Sequence, residues 1–239
     1  MTKEHTLQYK SSLWANSDRQ TISTCSVYDE VQVEVFVENP TRKQTITSLV
    51  RVAIYRDKAL SFDEIAKKES RLLTLYPFST GKISISFSPK RESGYHYVVF
   101  IEGKETFTQP KRFPPRLYAS KKETTLILNK PLSNVLTGSR FTLTGKLVSA
   151  DTGESIEAAK IRIYDVRHMR PDKVIDSGTT ASDGIFSTER IAKKMHWWNN
   201  TAEVYAKFEG DDVYKPSKSN QYAVNFTHNL SHKYLLAET

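Results

Sequence analysis

The stretch FEGDDVYKPSKSN, Phe208 to Asn220, places two adjacent aspartates in a chain of formal net charge +8. It reads either as an acidic site for a cation or as the corner of a β-sheet. Calcium takes six to eight oxygen ligands. Asp211, Asp212 and Glu209, with Asp183 approaching from another loop, would only begin such a shell. A corner accounts for every residue. Gly210 supplies an unusual backbone angle where the strand ending at Phe208 leaves its sheet. Asp211 accepts main-chain N–H groups of the turn. Tyr214 buries its ring and ties its hydroxyl to nearby backbone, as corner tyrosines of β-sandwiches do. Lys215, before a proline, is biased towards extended backbone, and Pro216 fixes its own φ.

Outward from this corner the chain alternates. Ala202, Val204, Ala206 and Phe208 share one face of the strand before it, and Tyr222, Val224 and Phe226 one face of the strand after it. Phe141, Leu143 and Leu147 line one side of RFTLTGKLVS (Arg140–Ser149), with Gly145 between them. Thr124–Leu128, Ile161 with Ile163, Val174 with Ile175, and Ile185 with Phe186 mark further strands, and Ser182-Asp183-Gly184 is a tight turn. The first half alternates in the same way, at Val31, Val33, Val35 and Val37, at Val50, Val52 and Ile54, and at Ile83, Ile85 and Phe87. The run Tyr95–Glu102 reads as a more buried strand. Short period-two runs bounded by turn residues predict an all-β protein of antiparallel sandwiches. One segment departs from this pattern. Ser61 and Glu64 stand at capping-box spacing in SFDEIAKKESRLL (Ser61–Leu73), which predicts a crossover carrying a short helix.

The segment FTQPKRFPPRLYASKK (Phe107–Lys122) holds Pro110, Pro114 and Pro115 among five basic residues, and proline favours an extended, semi-rigid path. The domain boundary is expected here. The resulting layout is an N-terminal tail (1–20), a first β-sandwich (21–109), a proline-rich basic linker (110–121), a second sandwich (122–227) and a C-terminal tail (228–239).

Residues 122–227 resemble the immunoglobulin-like repeat modules of bacterial and archaeal surface proteins. The matching residues are Thr137-Gly138, Thr144-Gly145-Lys146-Leu147, Gly153 with Ile156 and Ala159, Thr180, Asp183-Gly184 and Phe186. The closing motif follows, from Phe208 through Gly210-Asp211 and Tyr214 to Pro216-Ser217 and Ser219. RHMRPDKV (Arg167–Val174) is less regular than the family pattern, and the first half matches only as a generic sandwich. The resemblance implies a spacer or adhesive role, and with the sandwich read from the alternation of the first half the expected fold is two tandem immunoglobulin-like β-sandwich domains. In it Phe208, Gly210, Asp211 and Tyr214 form a structural corner, with no catalytic chemistry.

Composition sets the outer limits. The chain has 239 residues, 38% hydrophobic and 26% charged, enough for two packed domains. Cys25 is the single cysteine, so an intrachain disulfide framework is excluded. The N-terminal MTKEHTLQYKSSLW lacks the apolar core of a signal peptide. The longest apolar run, YVVFI (Tyr97–Ile101), is far short of the roughly 20 residues of a membrane span. No Gly-rich phosphate loop, nucleophile elbow, HExxH or CxxC is present, and no cofactor, catalytic residue or metal site is expected.

The candidate partner-binding residues are Lys111, Arg112, Phe113 and Arg116 in the basic segment, and Trp197 and Trp198 in HWWNN. The basic segment would hold an anionic polymer by charge, with Phe113 stacking. Of the tryptophans one is expected in the core and one exposed as a weak glycan or base platform. His228 and His232, at i, i+4, have no third ligand in sight. Asn199, Asn225 and Asn229 head N-glycosylation patterns, at a frequency that chance supplies in a chain so rich in serine and threonine. The expected function is therefore non-enzymatic: a structural, adhesive or docking module with protein partners in a prokaryotic surface or membrane-associated assembly. Two alternatives stay open, an intracellular binder of nucleic acid or acidic glycan and a carbohydrate-binding module of an enzyme complex.

Overall fold

The computed structural model of the chain describes residues 6–58, 62–102, 104–105, 116–167, 169–192 and 201–227, the pair 104–105 by main chain only. Among the described residues all regular structure is β-strand. The chain divides into two compact units, Met1–Lys121 and Lys122–Thr239.

The first unit contains β1 (Gln8–Ala15), β2 (Thr24–Ser26), β3 (Val31–Glu38), β4 (Ile46–Arg56), β5 (Glu64–Leu75), β6 (Thr80–Phe87), β7 (Ser93–Ile101), β8 (Lys104–Glu105) and β9 (Leu117–Ser120). They form a small sheet of order β1-β3-β6 and a larger one of order β2-β9-β7-β4-β5, with β8 paired to β7. The valines of β3 and the inward residues of β4 and β7 pack with Ile83 and Ile85 of β6 into one core, most of it under 3% exposed. The alternation read from the sequence is thus the inside–outside alternation of strands buried on one face.

The second unit contains β10 (Thr124–Leu128), β11 (Asn134–Leu136), β12 (Arg140–Ser149), β13 (Lys160–Asp165), β14 (Lys173–Thr179), β15 (Ile185–Ile191), β16 (Thr201–Phe208), β17 (Ser217–Lys218) and β18 (Tyr222–Thr227). Its sheets are β10-β12-β15 and β11-β18-β16-β13-β14, with β17 paired to β16. The strand order matches the first unit position for position. Each larger sheet ends in a short parallel addition, β2 on β9 and β11 on β18. Both units are therefore immunoglobulin-like sandwiches, each closing its own core.

Four expectations are corrected by these strands. Within the segment expected to carry a helix, Glu64–Leu75 is strand β5, twelve residues long, paired with β4 from Arg56↔Glu64 to Ile46↔Leu75. It is an edge strand exposed on most of both faces, so nothing imposes a period of two on it. Glu64 caps no helix; its carboxylate pairs with Arg56 and Lys58. The expected N-terminal tail includes β1, whose Trp14 is 1% exposed, and a bulge between Tyr9 and Ser11 breaks its alternation. The first sandwich accordingly begins before residue 21. The expected linker 110–121 ends in β9, whose Leu117 and Ala119 are core residues.

The opening stretch is a corner. Gly210 has φ +80, and a Cβ there would stand 2.9 Å from Tyr214 O and 3.0 Å from Pro216 N. Asp211 Oδ1 accepts the main-chain N–H groups of Val213 and Tyr214, both at 2.8 Å. The hydrogen bonds observed for Tyr214 run through its main chain rather than its hydroxyl, and its ring packs on the edge of the core. The corner also grips the start of the domain. Lys122 bridges Tyr214 in parallel, its N–H donating to Val213 O and its carbonyl accepting the Lys215 N–H, and Thr124 Oγ1 donates to Ser217 Oγ at 2.7 Å. Ser219 Oγ accepts the N–H of Ala206 at 2.9 Å. Ser219 is thus a main-chain clamp, while Ser217 ties the corner to β10 through a side chain.

Candidate functional site

Of the six residues named as partner contacts, Lys111, Arg112, Phe113, Trp197 and Trp198 lie outside the described residues, as do His228, His232 and the expected tail 228–239. Chain connectivity corrects the role of the basic segment nevertheless. Residues 106–115 run from β8 to β9, two strands of one sheet in the first unit. They are a connection within that domain and not an interdomain hinge.

Arg116, where the segment rejoins the sheet, lies in a cluster that sequence reasoning missed. Its guanidinium stands 2.9 Å from Asp57 Oδ2. Asp57 Oδ1 is 2.7 Å from His96 Nδ1, and Asp63 Oδ2 is 3.8 Å from His96 Nε2. The imidazole stacks on Tyr55, with ring centroids 5.3 Å apart. Asp57 is fixed through Gly94 O and the Ser93 hydroxyl. Asp57, Asp63 and His96 are residue types that hold metals, but Asp57 is engaged by Arg116 and by Nδ1. That leaves Nε2 and Asp63 as two donors, short of the three protein ligands that a catalytic zinc keeps. No sequence motif links the three residues, since Asp57 and Asp63 come from the connection between β4 and β5 and His96 from β7.

The second domain carries an aromatic pair at the same place. Tyr55↔His96 and Tyr164↔Tyr205 are both cross-strand partners in the larger sheets, each beside a bulge, at Ile54/Tyr55 and Ile163/Tyr164. Tyr164 and Tyr205 stack at 5.1 Å, Lys218 Nζ sits 3.7 Å over Tyr205, and the Tyr205 hydroxyl donates to Asp172 Oδ2 at 2.9 Å. Tyr164 donates to Glu209, which also pairs with Lys207 and Arg162. The groups of this face satisfy one another, so it reads as structure.

That network sets an alkaline limit. Burial, and then the Asp172 carboxylate, push the Tyr205 phenol from its ordinary 10 up to about 12. The folded state holds this proton more tightly than the unfolded chain, so the stability it contributes is whole below pH 10 and is lost as pH rises through 12. Tyr97 and Cys25 are shifted the same way in the first domain. The second domain's melting temperature should therefore fall from pH 10 to 12 more steeply in the wild type than in Tyr205→Phe. Calorimetry at pH 9, 10, 11 and 12 measures the difference.

A third feature stands at one end of the first sandwich. Tyr76-Pro77-Phe78-Ser79 turns β5 into β6, closed by Ser79 N–H to Tyr76 O at 3.2 Å. Proline occupies the second place of this turn, and Phe78, in the third, has φ 55. Glycine or asparagine is usual there, because a Cβ in left-handed backbone costs about 1–2 kcal/mol. Asn39, 1% exposed, holds the turn. Its amide donates to Leu75 O at 2.9 Å and Gln44 O at 2.8 Å, its carbonyl accepts the Thr41 N–H at 3.0 Å, and its own N–H donates to Ser79 O at 2.9 Å. Phe78 N–H bonds Thr41 O. This network presents Tyr76 and Phe78 at 73% and 68% exposure beside the exposed Arg42 and Lys43. The only sequence signal was two large aromatics inside a proline turn. At the opposite end, a pocket of about 550 Å³ is lined by the Arg56–Glu64 ion pair with Glu30, Lys90, Arg91 and Tyr95.

No protein-family model matches the chain, and no curated protein matches it. Among solved structures it is similar to red sea bream transglutaminase, at TM-score 0.38 and 9% identity over 94% of this chain and 32% of that one. It is also similar to the fibronectin(III)-like modules of Clostridium thermocellum CbhA, at TM-score 0.33 and 15% identity over 92% of this chain and 94% of that one. The chain spans about a third of the transglutaminase's length. The strand order of each unit defines two tandem immunoglobulin-like sandwiches.

Proposed function

We propose that the chain is a non-enzymatic docking module of a prokaryotic surface or membrane-associated assembly. The surface-repeat motif of the second domain supports this reading, because its residues are spent on turning and clamping the chain. The observation that carries it is the aromatic turn of the first domain. Large aromatics in a soluble domain are ordinarily buried. Here two are held outward by a buried asparagine, at a backbone angle that costs energy, and strain of this kind collects where a surface is used. The rigid sandwich holds the turn in place, and docking buries the rings. Among the described residues no helix is long and apolar enough to cross a membrane.

Photo-crosslinking in the native cell tests the reading. p-Benzoylphenylalanine at position 78 should give one dominant adduct, to protein or to lipid. The same group at Ile127, 47% exposed in the second domain, should give none. Equal yields, or no adduct at position 78, would overturn the proposal.

A further inference from the structure

Resting on that docking reading, we infer that the surface which the turn meets is an anionic lipid bilayer. Three observations on one end of the first sandwich converge.

The first is the chemistry of the exposed rings. Tyr76 and Phe78 stand outward on adjoining positions of one turn, at 73% and 68% exposure. Tyrosine combines an apolar ring with a polar tip, which suits the boundary between acyl chains and water. Phenylalanine supplies purely apolar area for the layer beneath. A tip of two rings has little area for a flat protein face, whereas a bilayer deforms around it.

The second is charge. Arg42 and Lys43 lie in the connection whose Thr41 accepts the Phe78 N–H. Both are exposed, and neither makes an ion pair among the described residues. The described carboxylates at this end are engaged: Glu38 by Lys10 at 3.6 Å and Glu102 by the Ser48 hydroxyl at 2.8 Å. The cations therefore face outward without an ion-pair partner among the described residues, on a chain of net charge +8. Basic residues held near an anionic leaflet add attraction that salt screens.

The third is pre-organisation. The Asn39 network joins the connection 39–45 to the turn 76–79. Rings and cations are thus displayed as one fixed unit, and little ordering entropy is left to spend on contact.

Vesicle co-sedimentation with the full chain tests this. Vesicles of phosphatidylcholine alone should leave the protein in solution. Vesicles with roughly 30% phosphatidylglycerol should pellet it at low salt and release much of it at roughly 300 mM salt, through screening. Arg42→Gln with Lys43→Gln should weaken partitioning by roughly tenfold or more, and Tyr76→Ser with Phe78→Ser should abolish it. Ile127→Ser should change nothing. All these positions are exposed, and unchanged melting will show that the variants fold. A gain-of-signal variant guards against trivial loss: Phe78→Trp should keep binding, shift its emission to the blue with anionic vesicles and be quenched by brominated lipid. Binding that ignores lipid charge, or survives loss of both rings, overturns the inference. If vesicles fail to bind while the crosslink at position 78 captures a single protein, the lipid assignment falls and the docking reading stands. If both fail, both fall.

Discussion

Trp14→Ala lowers the melting temperature of the first domain by roughly 15 °C and leaves the second domain's transition in place. Trp14 is 1% exposed. Its ring meets Tyr97 edge-on at 5.2 Å and Phe87 at 6.1 Å. Truncation removes the largest fully buried side chain of this core and empties the space between the two sheets. Such changes cost about 3–5 kcal/mol, and the aromatic contacts add about 0.5–1.5 kcal/mol beyond buried area. For a domain of this size, 1 kcal/mol corresponds to about 4 °C. The loss also reaches a polar chain, because the Tyr97 hydroxyl donates to Ser12 Oγ at 2.9 Å and Tyr9 meets the same oxygen at 2.7 Å. Calorimetry separates the two transitions. Trp14→Phe should recover much of the loss by refilling the ring position. A shift under about 4 °C for the alanine variant would mean that β1 does not belong to the core.

Gly145→Ala is the corresponding expectation for the second domain, with a cost of about 3 kcal/mol or more, and Gly145→Val should prevent that domain from folding. Backbone angle is not the cause. Gly145 sits in the middle strand of its sheet, paired with Leu128 on one side and Phe186 on the other. A Cβ would lie 2.2 Å from Ile127 O and 2.5 Å from two carbons of the Phe186 ring. Phe186 is itself 1% exposed and has nowhere to retreat. Glycine inside a strand commonly marks such a close approach. The compensating pair Gly145→Ala with Phe186→Leu should recover part of the loss, because two of the three close contacts are to that ring. Urea denaturation with a probe in the second domain reads the effect. Equal stabilities for wild type and Gly145→Ala would contradict the packing described.

Thr144-Gly145-Lys146-Leu147 was legible as part of a surface-repeat motif, but its reason was not. The motif stands in the sequence, whereas Phe186 reaches Gly145 only when β15 lies beside β12. Asp211 differs in this respect. Its carboxylate bonds N–H groups two and three residues on, so its work is local and was readable directly. His96 shows the opposite limit. Asp57 and Asp63 meet it from far away in the chain, and no spacing rule signals that.

The all-β class, the strands buried on one face and the corner at Gly210-Asp211 followed from amino-acid order alone. A strand pressed against a core shows its period of two wherever it lies, and turn chemistry is settled within four residues. Three-dimensional packing was needed to assign β1, β5 and β9, to put the basic segment inside the first domain and to expose the Tyr76–Phe78 turn. An edge strand lacks a one-sided burial pattern, a bulge resets the alternation, and pairings such as Thr24 with Tyr118 join residues that leave no mark on each other's local sequence.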